Sequence, residues 1–406
     1  MPAGDEDPHV AQLVNGILLP RQTIKCNKYN TSMQRRSKKP HIVVAGKEPP
    51  PVGGQNLLIA ELLRDLRSDG RPCASHLDLA FTKDWTKARK FSPTKLFELW
   101  RVWTEMRAIA KTKPVDILLY PVGGPQTVPL FRDAILLPLL RPYCRKLIMH
   151  FHAAGYAMAA PHLSFPLKQL IRRAYASTDE AVVMTEFGRE DAVAAGIRKI
   201  HVSPNMLRDT FDPTKIEDRG KSPKAKILYL GHVYKEKGVF DLLDALVNIK
   251  KPFDLRIVGD CLAPWTPERL RGRIDKAGLD NVVEYVGGVD EKNRDAELAR
   301  ADFLVFPSRA AESFGLVLAE AMMWRLPVIA FDWRGNKEVL GEDPGGFLLP
   351  GENRIDELAE AVTEMLDKQQ LWQVWGECNR QRFLKKFNKP DHNIPIVEIL
   401  LAAAVG

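Results

Sequence analysis

Twelve short apolar runs, separated by stretches of helical character and interrupted once near the middle, limit what this 406-residue chain can become. The first series lies at 41–45, 76–81, 115–120, 146–151, 180–185 and 200–203; the second lies at 225–230, 255–258, 282–286, 303–306, 328–331 and 347–349. Runs this short, alternating with amphipathic helices such as 55–68, read as strands of a mostly parallel sheet covered on both faces. Between the two series, Ser203-Pro-Asn205 and the polar stretch to Lys224 read as a linker. The expected fold class is therefore α/β, with two Rossmann-like, doubly wound domains facing a central cleft. Residues 1–39 are polar and irregular apart from 17–19, and are expected to be a flexible extension. A first domain is placed at 40–205, a second domain at 206–385, and an apolar helix within 386–406 that crosses back onto the first domain.

Composition adds exclusions. No apolar run reaches the ~20 residues needed to span a bilayer, and Met1-Pro-Ala-Gly-Asp-Glu-Asp7 is not a signal peptide, so a cytoplasmic location is expected. The cysteines (Cys26, Cys73, Cys144, Cys261, Cys378) are scattered without CxxC spacing, which favours reduced thiols over a disulfide framework or a zinc site. A net charge of +8 suits nucleic acid, an anionic membrane or an anionic substrate, and no nucleic-acid module signature is visible, so no nucleic-acid partner is expected. Residues 83–113 interleave Lys87, Arg89, Lys90, Lys95, Arg101, Arg107 and Lys111 with Phe91, Phe97, Trp100 and Trp103. Two readings stand: an amphipathic helix resting on an anionic leaflet, which makes the chain peripheral on the inner face of the cytoplasmic membrane, or a surface helix with its aromatics in the core.

Site chemistry concentrates in 306–330, which runs from a strand through a loop and a helix into the next strand. Glu312 sits in the loop; Ser313, Phe314 and Gly315 open the helix; Glu320 lies within it, where Leu316 to Met323 are otherwise apolar. Free backbone N–H groups and the positive dipole end suit a phosphate, and two acids about two turns apart can face one side, so the set suits a diphosphate between two hydroxyl-rich rings. Glu312 also fits a plain dipole-complementing role. An uncompensated buried Glu320 would be costly, which favours a ligand there. In Met149-His-Phe-His-Ala-Ala-Gly155 both histidines point the same way at strand period. No third metal ligand accompanies them.

Taken together, these stretches resemble the retaining glycosyltransferases of the GT-B fold, in particular glycosyltransferase family 4, over residues 40 to 385. Glu312 and Glu320 match the family's E-x7-E pattern. Leu230-Gly-His-Val-Tyr-Lys-Glu-Lys-Gly238 resembles its first donor-domain loop, Val286-Gly-Gly-Val-Asp-Glu291 its nucleotide-base loop, 49–54 its N-terminal glycine loop and Ser203-Pro-Asn205 its hinge. The resemblance implies a UDP-sugar or GDP-sugar donor, no bound metal or cofactor, and a glycan or lipid-linked acceptor in envelope polysaccharide or glycoconjugate synthesis. It implies donor contacts from Gly53, Gly54, His232, Lys237, Val289, Glu312, Ser313, Phe314, Gly315, Leu316 and Glu320. Glu312 would hold the donor sugar, Glu320 the ribose and Lys237 the diphosphate, with His152 near the reacting centre. One departure is His232, where the family usually has an arginine; either the phosphates protonate it or another cation such as Arg309 compensates. The alternatives are a nucleotide-sugar epimerase of the same fold and an inactive nucleotide-binding module.

Overall fold

The computed structural model describes residues 39–49, 54–79, 93–216, 219–350, 355–392 and 394–405, with backbone only for 93–96. The expected extension up to residue 38, Gly53 and the 83–92 part of the basic aromatic segment lie outside the described residues.

The first series of strands gives β1 (His41–Gly46), α1 (Gly54–Asp69), β2 (Cys73–Asp78), α2 (Pro93–Thr112), β3 (Val115–Pro121), α3 (Thr127–Leu140), β4 (Cys144–His150), α4 (Tyr156–Ala159), α5 (Phe165–Tyr175), β5 (Glu180–Val183), α6 (Arg189–Ala194) and β6 (Ile200–Val202). These strands form a parallel six-stranded sheet in the order β2-β1-β3-β4-β5-β6. The second series gives β7 (Ala225–Leu230), α7 (Val239–Leu246), β8 (Phe253–Val258), α8 (Pro267–Lys276), β9 (Val283–Gly287), α9 (Glu291–Arg300), β10 (Phe303–Phe306), α10 (Leu316–Met323), β11 (Val328–Asp332), α11 (Asn336–Leu340), β12 (Gly346–Pro350), α12 (Ile355–Asp367), α13 (Trp372–Lys386) and α14 (Pro395–Val405). Its sheet, also parallel, runs β12-β11-β10-β7-β8-β9.

Aliphatic strands buried on both faces explain the layering. Val43 and Ala45 of β1 join the core under α2, α3 and α5, whereas Ile42 and Val44 face a separate core beneath α1 and α14. Val397, Leu400 and Ala403, spaced along one side of α14, complete that second core. Ahead of α14, Lys389 pairs with Asp65 (2.7 Å) and Glu61 (3.4 Å) of α1, so the last segment is fastened by charge as well as by apolar contact. No helix among the described residues is long and apolar enough to cross a membrane.

One sequence expectation changes, and one open reading is narrowed. The strand expected at 76–81 begins at Cys73, because His41 to Gly46 pair residue for residue with Cys73 to Asp78, and a hydrogen bond from Cys73 N to Pro40 O (2.8 Å) starts the ladder. In α2 the core stripe is Leu99, Val102 and Met106, while Phe97 and Trp100 point outward, 61% and 55% exposed, with rings 5.7 Å apart. Helical spacing alone did not say which stripe would meet the sheet.

Strand order reverses between β1 and β3 in one sheet and between β7 and β10 in the other. The loops leaving such neighbours part to opposite faces and open a crevice at the strand ends.

Candidate active site

At the second reversal, β7 feeds 231–238 and β10 feeds 307–315. Gly238 has a left-handed backbone (φ 74°), and a Cβ there would lie 2.0 Å from Pro307 O. Only glycine lets the single turn Lys235–Lys237 lie against the β10 loop. That contact places the Lys237 ammonium 5.5 Å from the centre of the Phe306 ring and in a direct ion pair with Glu312 Oε1. Ser308 Oγ donates to the same oxygen at 3.0 Å, and Ser308 is fully buried. The expected lysine and loop acid therefore meet, joined by a serine that sequence reading passed over. Its one signal was a hydroxyl two residues after an apolar strand end.

Gly315 is left-handed (φ 67°) and α10 begins only at Leu316. Glu312 is thus not on the helix, and the two acids do not share a helical face. Phe314 is buried edge-on against Phe387, with ring centres 5.3 Å apart. Glu320 is buried, and burial pushes its carboxyl up to about 7 against the pull of Arg294, whose guanidinium lies 3.2 Å away; Asp295 and Glu291 push it further up. The acid expected to be uncompensated has this cation from α9. Nothing in local sequence announced the pairing.

The expected diphosphate end is poorer in charge. His232 reaches solvent, yet crowding by protein and then the Lys237 ammonium lower its imidazole below the ordinary value, so it is neutral at pH 7. Arg309 is committed to an ion pair with Asp241. Val289 is half-buried in the loop after β9, next to Gly288, which lies against the Asp260 carboxylate.

The opposite wall comes from the first domain. The His150 and His152 rings lie 3.9 Å apart; burial lowers His150 to about 4, and burial followed by His150 lowers His152 well below its ordinary value. His152 Nδ1 is buried without a partner. Its carbonyl accepts from Ser313 Oγ (2.7 Å), and Ser313 O accepts from Thr185 Oγ1 (3.2 Å). Gly54 opens α1, and a Cβ there would lie 3.1 Å from Leu316 Cδ1. The structure therefore brings His152, Gly54, Ser313 and Leu316 together across the cleft. Among the described residues, no group of three His, Cys, Asp or Glu side chains converges as a metal-binding set would.

Two parallel doubly wound sheets, with strand ends facing across a cleft, define the GT-B glycosyltransferase fold. Residues 212–382 match the model of the glycosyl transferases group 1 family. It is 32% identical over 234 residues to an uncharacterized 41.2 kDa protein in the cps region of Klebsiella pneumoniae, an alignment that takes in 53% of this chain and 59% of that protein. It is 24% identical over 369 residues to a GDP-mannose-dependent alpha-(1-6)-phosphatidylinositol monomannoside mannosyltransferase of Mycobacterium tuberculosis, covering 84% of this chain and 92% of the relative. Among solved structures, Anabaena HepE in complex with UDP and glucose superposes with a TM-score of 0.65 at 18% identity, over 90% of this chain and 99% of HepE.

Proposed function

We propose that the chain is a retaining glycosyltransferase, moving a sugar from a UDP-sugar or GDP-sugar to a hydroxyl of a glycan or lipid-linked acceptor in envelope polysaccharide or glycoconjugate synthesis. The Lys237–Glu312 pair at the β7/β10 reversal carries the reading. An ammonium and a carboxylate poised together, beside the start of α10, provide for both halves of a nucleotide sugar. The diphosphate draws Lys237 and the N–H groups of 313–316, where negative charge grows as the leaving group departs. Glu312, held by Ser308, is then free to accept from hydroxyls of the donor sugar. Glu320 accepts from the ribose hydroxyls, and the neutral His152 imidazole faces the reacting centre. As the anomeric C–O bond to phosphate breaks, the acceptor oxygen bonds to that carbon on the same face and its proton passes to the departing phosphate oxygen. The names of the mannosyltransferase and of the UDP-bound HepE complex support a nucleotide-sugar donor.

Calorimetry with UDP, GDP and ADP, followed by transfer assays with the corresponding sugars, tests the reading. Binding of none of the three nucleotides would overturn it.

An anionic membrane surface is part of the same proposal. Exposed Phe97 and Trp100 on α2 occur on the sheet face that also carries α5, where Phe165 is 74% exposed beside exposed Lys168, Arg172 and Arg173. Aromatic rings interspersed with cations match an anionic interface, which would bring a lipid-linked acceptor to the first domain.

A further inference from the structure

Arg334 has a left-handed backbone (φ 52°), a conformation strained for any residue with a Cβ and free for glycine. A long cationic side chain kept in such a position has its explanation in what it reaches. Arg334 leaves the loop after β11 and crosses into the first domain. There its guanidinium lies 3.5 Å from Asp191 Oδ2, with the two side chains only 4% and 1% exposed. It also lies 4.6 Å from the centre of the Phe187 ring, and its Nη1 is 3.1 Å from Met158 Sδ.

Asp191 is already engaged. It accepts from Gly155 N (2.8 Å) and Ala157 N (2.7 Å), so one carboxylate of α6 fixes the turn that follows His152. On the other side, Trp333 Nε1 donates to Ala310 O at 3.0 Å, in the loop that carries Glu312. Consecutive side chains therefore grip the Glu312 loop and, through Asp191, the His152 loop. The two domains also meet through the Glu338 carboxylate, which accepts from the Glu186 and Phe187 amides (2.6 Å each), a contact that does not involve Arg334.

We infer that Arg334 is a positioning residue that sets the His152 loop against the Glu312 loop through Asp191, a role in catalysis that rests on the transferase reading above. A neutral residue at 334 leaves the donor pocket intact but lets the His152 turn drift. A displacement of about 1 Å at a reacting centre costs on the order of a hundredfold in rate.

Arg334→Gly removes the guanidinium and relieves the backbone, but it leaves the buried Asp191 carboxylate without its counter-ion, so a lower melting temperature is expected and the decisive readouts are local exchange and the split between kcat and nucleotide affinity. In the full chain without ligand, amide hydrogen exchange at Gly155 and Ala157 is expected to quicken by roughly tenfold or more as their acceptor loses its anchor. UDP or GDP affinity stays within about twofold, while kcat for the donor sugar that the unmodified chain turns over falls about tenfold to a hundredfold at little-changed KM. Arg334→Lys restores part of kcat and Arg334→Met does not. Unchanged exchange at Gly155 and Ala157 in Arg334→Gly would overturn the inference, as would a loss of nucleotide affinity as large as the loss of kcat, which marks a general structural role. If the unmodified chain binds none of UDP, GDP and ADP, the transferase reading fails and the catalytic half of this inference with it; the exchange result still decides whether Arg334 holds the turn.

Discussion

The Lys237 ammonium and the Glu312 carboxylate, 75 positions apart in the chain, are bonded to each other where the second sheet reverses its strand order. Their side chains are 15% and 17% exposed, so most of the desolvation of both charges is complete before any ligand arrives. In the proposed transferase, such preorganisation leaves little rearrangement for the moment of reaction.

Separate roles for the pair lead to separable losses. Lys237→Ala should weaken UDP or GDP binding by about ten- to a hundredfold, as expected for removal of a charge-assisted contact to phosphate. Glu312→Ala should remove transfer while leaving that binding within roughly threefold, because the freed Lys237 still meets the diphosphate. Calorimetry paired with a transfer assay checks both, and equal loss of nucleotide binding in the two variants would refute the division.

Burial of Glu320 gives a pH dependence with a defined sign. The folded carboxyl is raised from 4.5 to about 7, so folding is favoured while it is protonated. That contribution is complete below 4.5 and fades as pH rises through about 7, where the fold holds a charge that the unfolded chain exposes to water. At about 1.4 kcal/mol per pH unit, the change across the window is on the order of 3 kcal/mol. Urea midpoints measured across this range should fall with rising pH, and Glu320→Gln should flatten the slope. Nucleotide affinity should move the other way, rising as the carboxylate forms and accepts from the ribose hydroxyls, again with a flatter profile in Glu320→Gln.

Gly238 admits no side chain. In Gly238→Ala a Cβ would collide with Pro307 O in a backbone region that L residues avoid. The strain costs on the order of 1–3 kcal/mol, and relieving it moves the Lys235–Lys237 turn away from Glu312. Thermal unfolding should show the loss of stability, and nucleotide affinity should fall alongside it.

The outward rings of α2 make a prediction about surfaces. Phe97→Ser with Trp100→Ser should reduce co-sedimentation with phosphatidylglycerol-containing vesicles by about tenfold, and raised salt should weaken binding of the unmodified chain. The melting temperature should stay unchanged, since both side chains are exposed. Absence of binding by the unmodified chain at low salt would retire the membrane proposal.

Much of this molecule could be read along the chain, because burial leaves a local mark. A strand covered on both faces must be apolar throughout, as in Phe303–Phe306, and a helix under cover must be apolar nearly all round, as Leu318 to Met323 are. Loop acids, the Gly238 turn and the glycine before α10 sit at fixed offsets from those strands, so the order of the site was legible too. Pairings between distant charges left no such mark. Arg294 beside Glu320, Arg309 claimed by Asp241 and Arg334 reaching Asp191 each depend on distances of a few ångströms between separately placed elements. The start of β2 at Cys73 and the outward turn of Phe97 and Trp100 were settled the same way, by strand pairing and by which helical stripe met the sheet. Sequence by itself determined the layers and the loops at their ends, because periodicity records which side is dry; only tertiary packing decided which charge answers which, because Coulomb attraction and hydrogen bonding act over distances that the chain's own order does not contain.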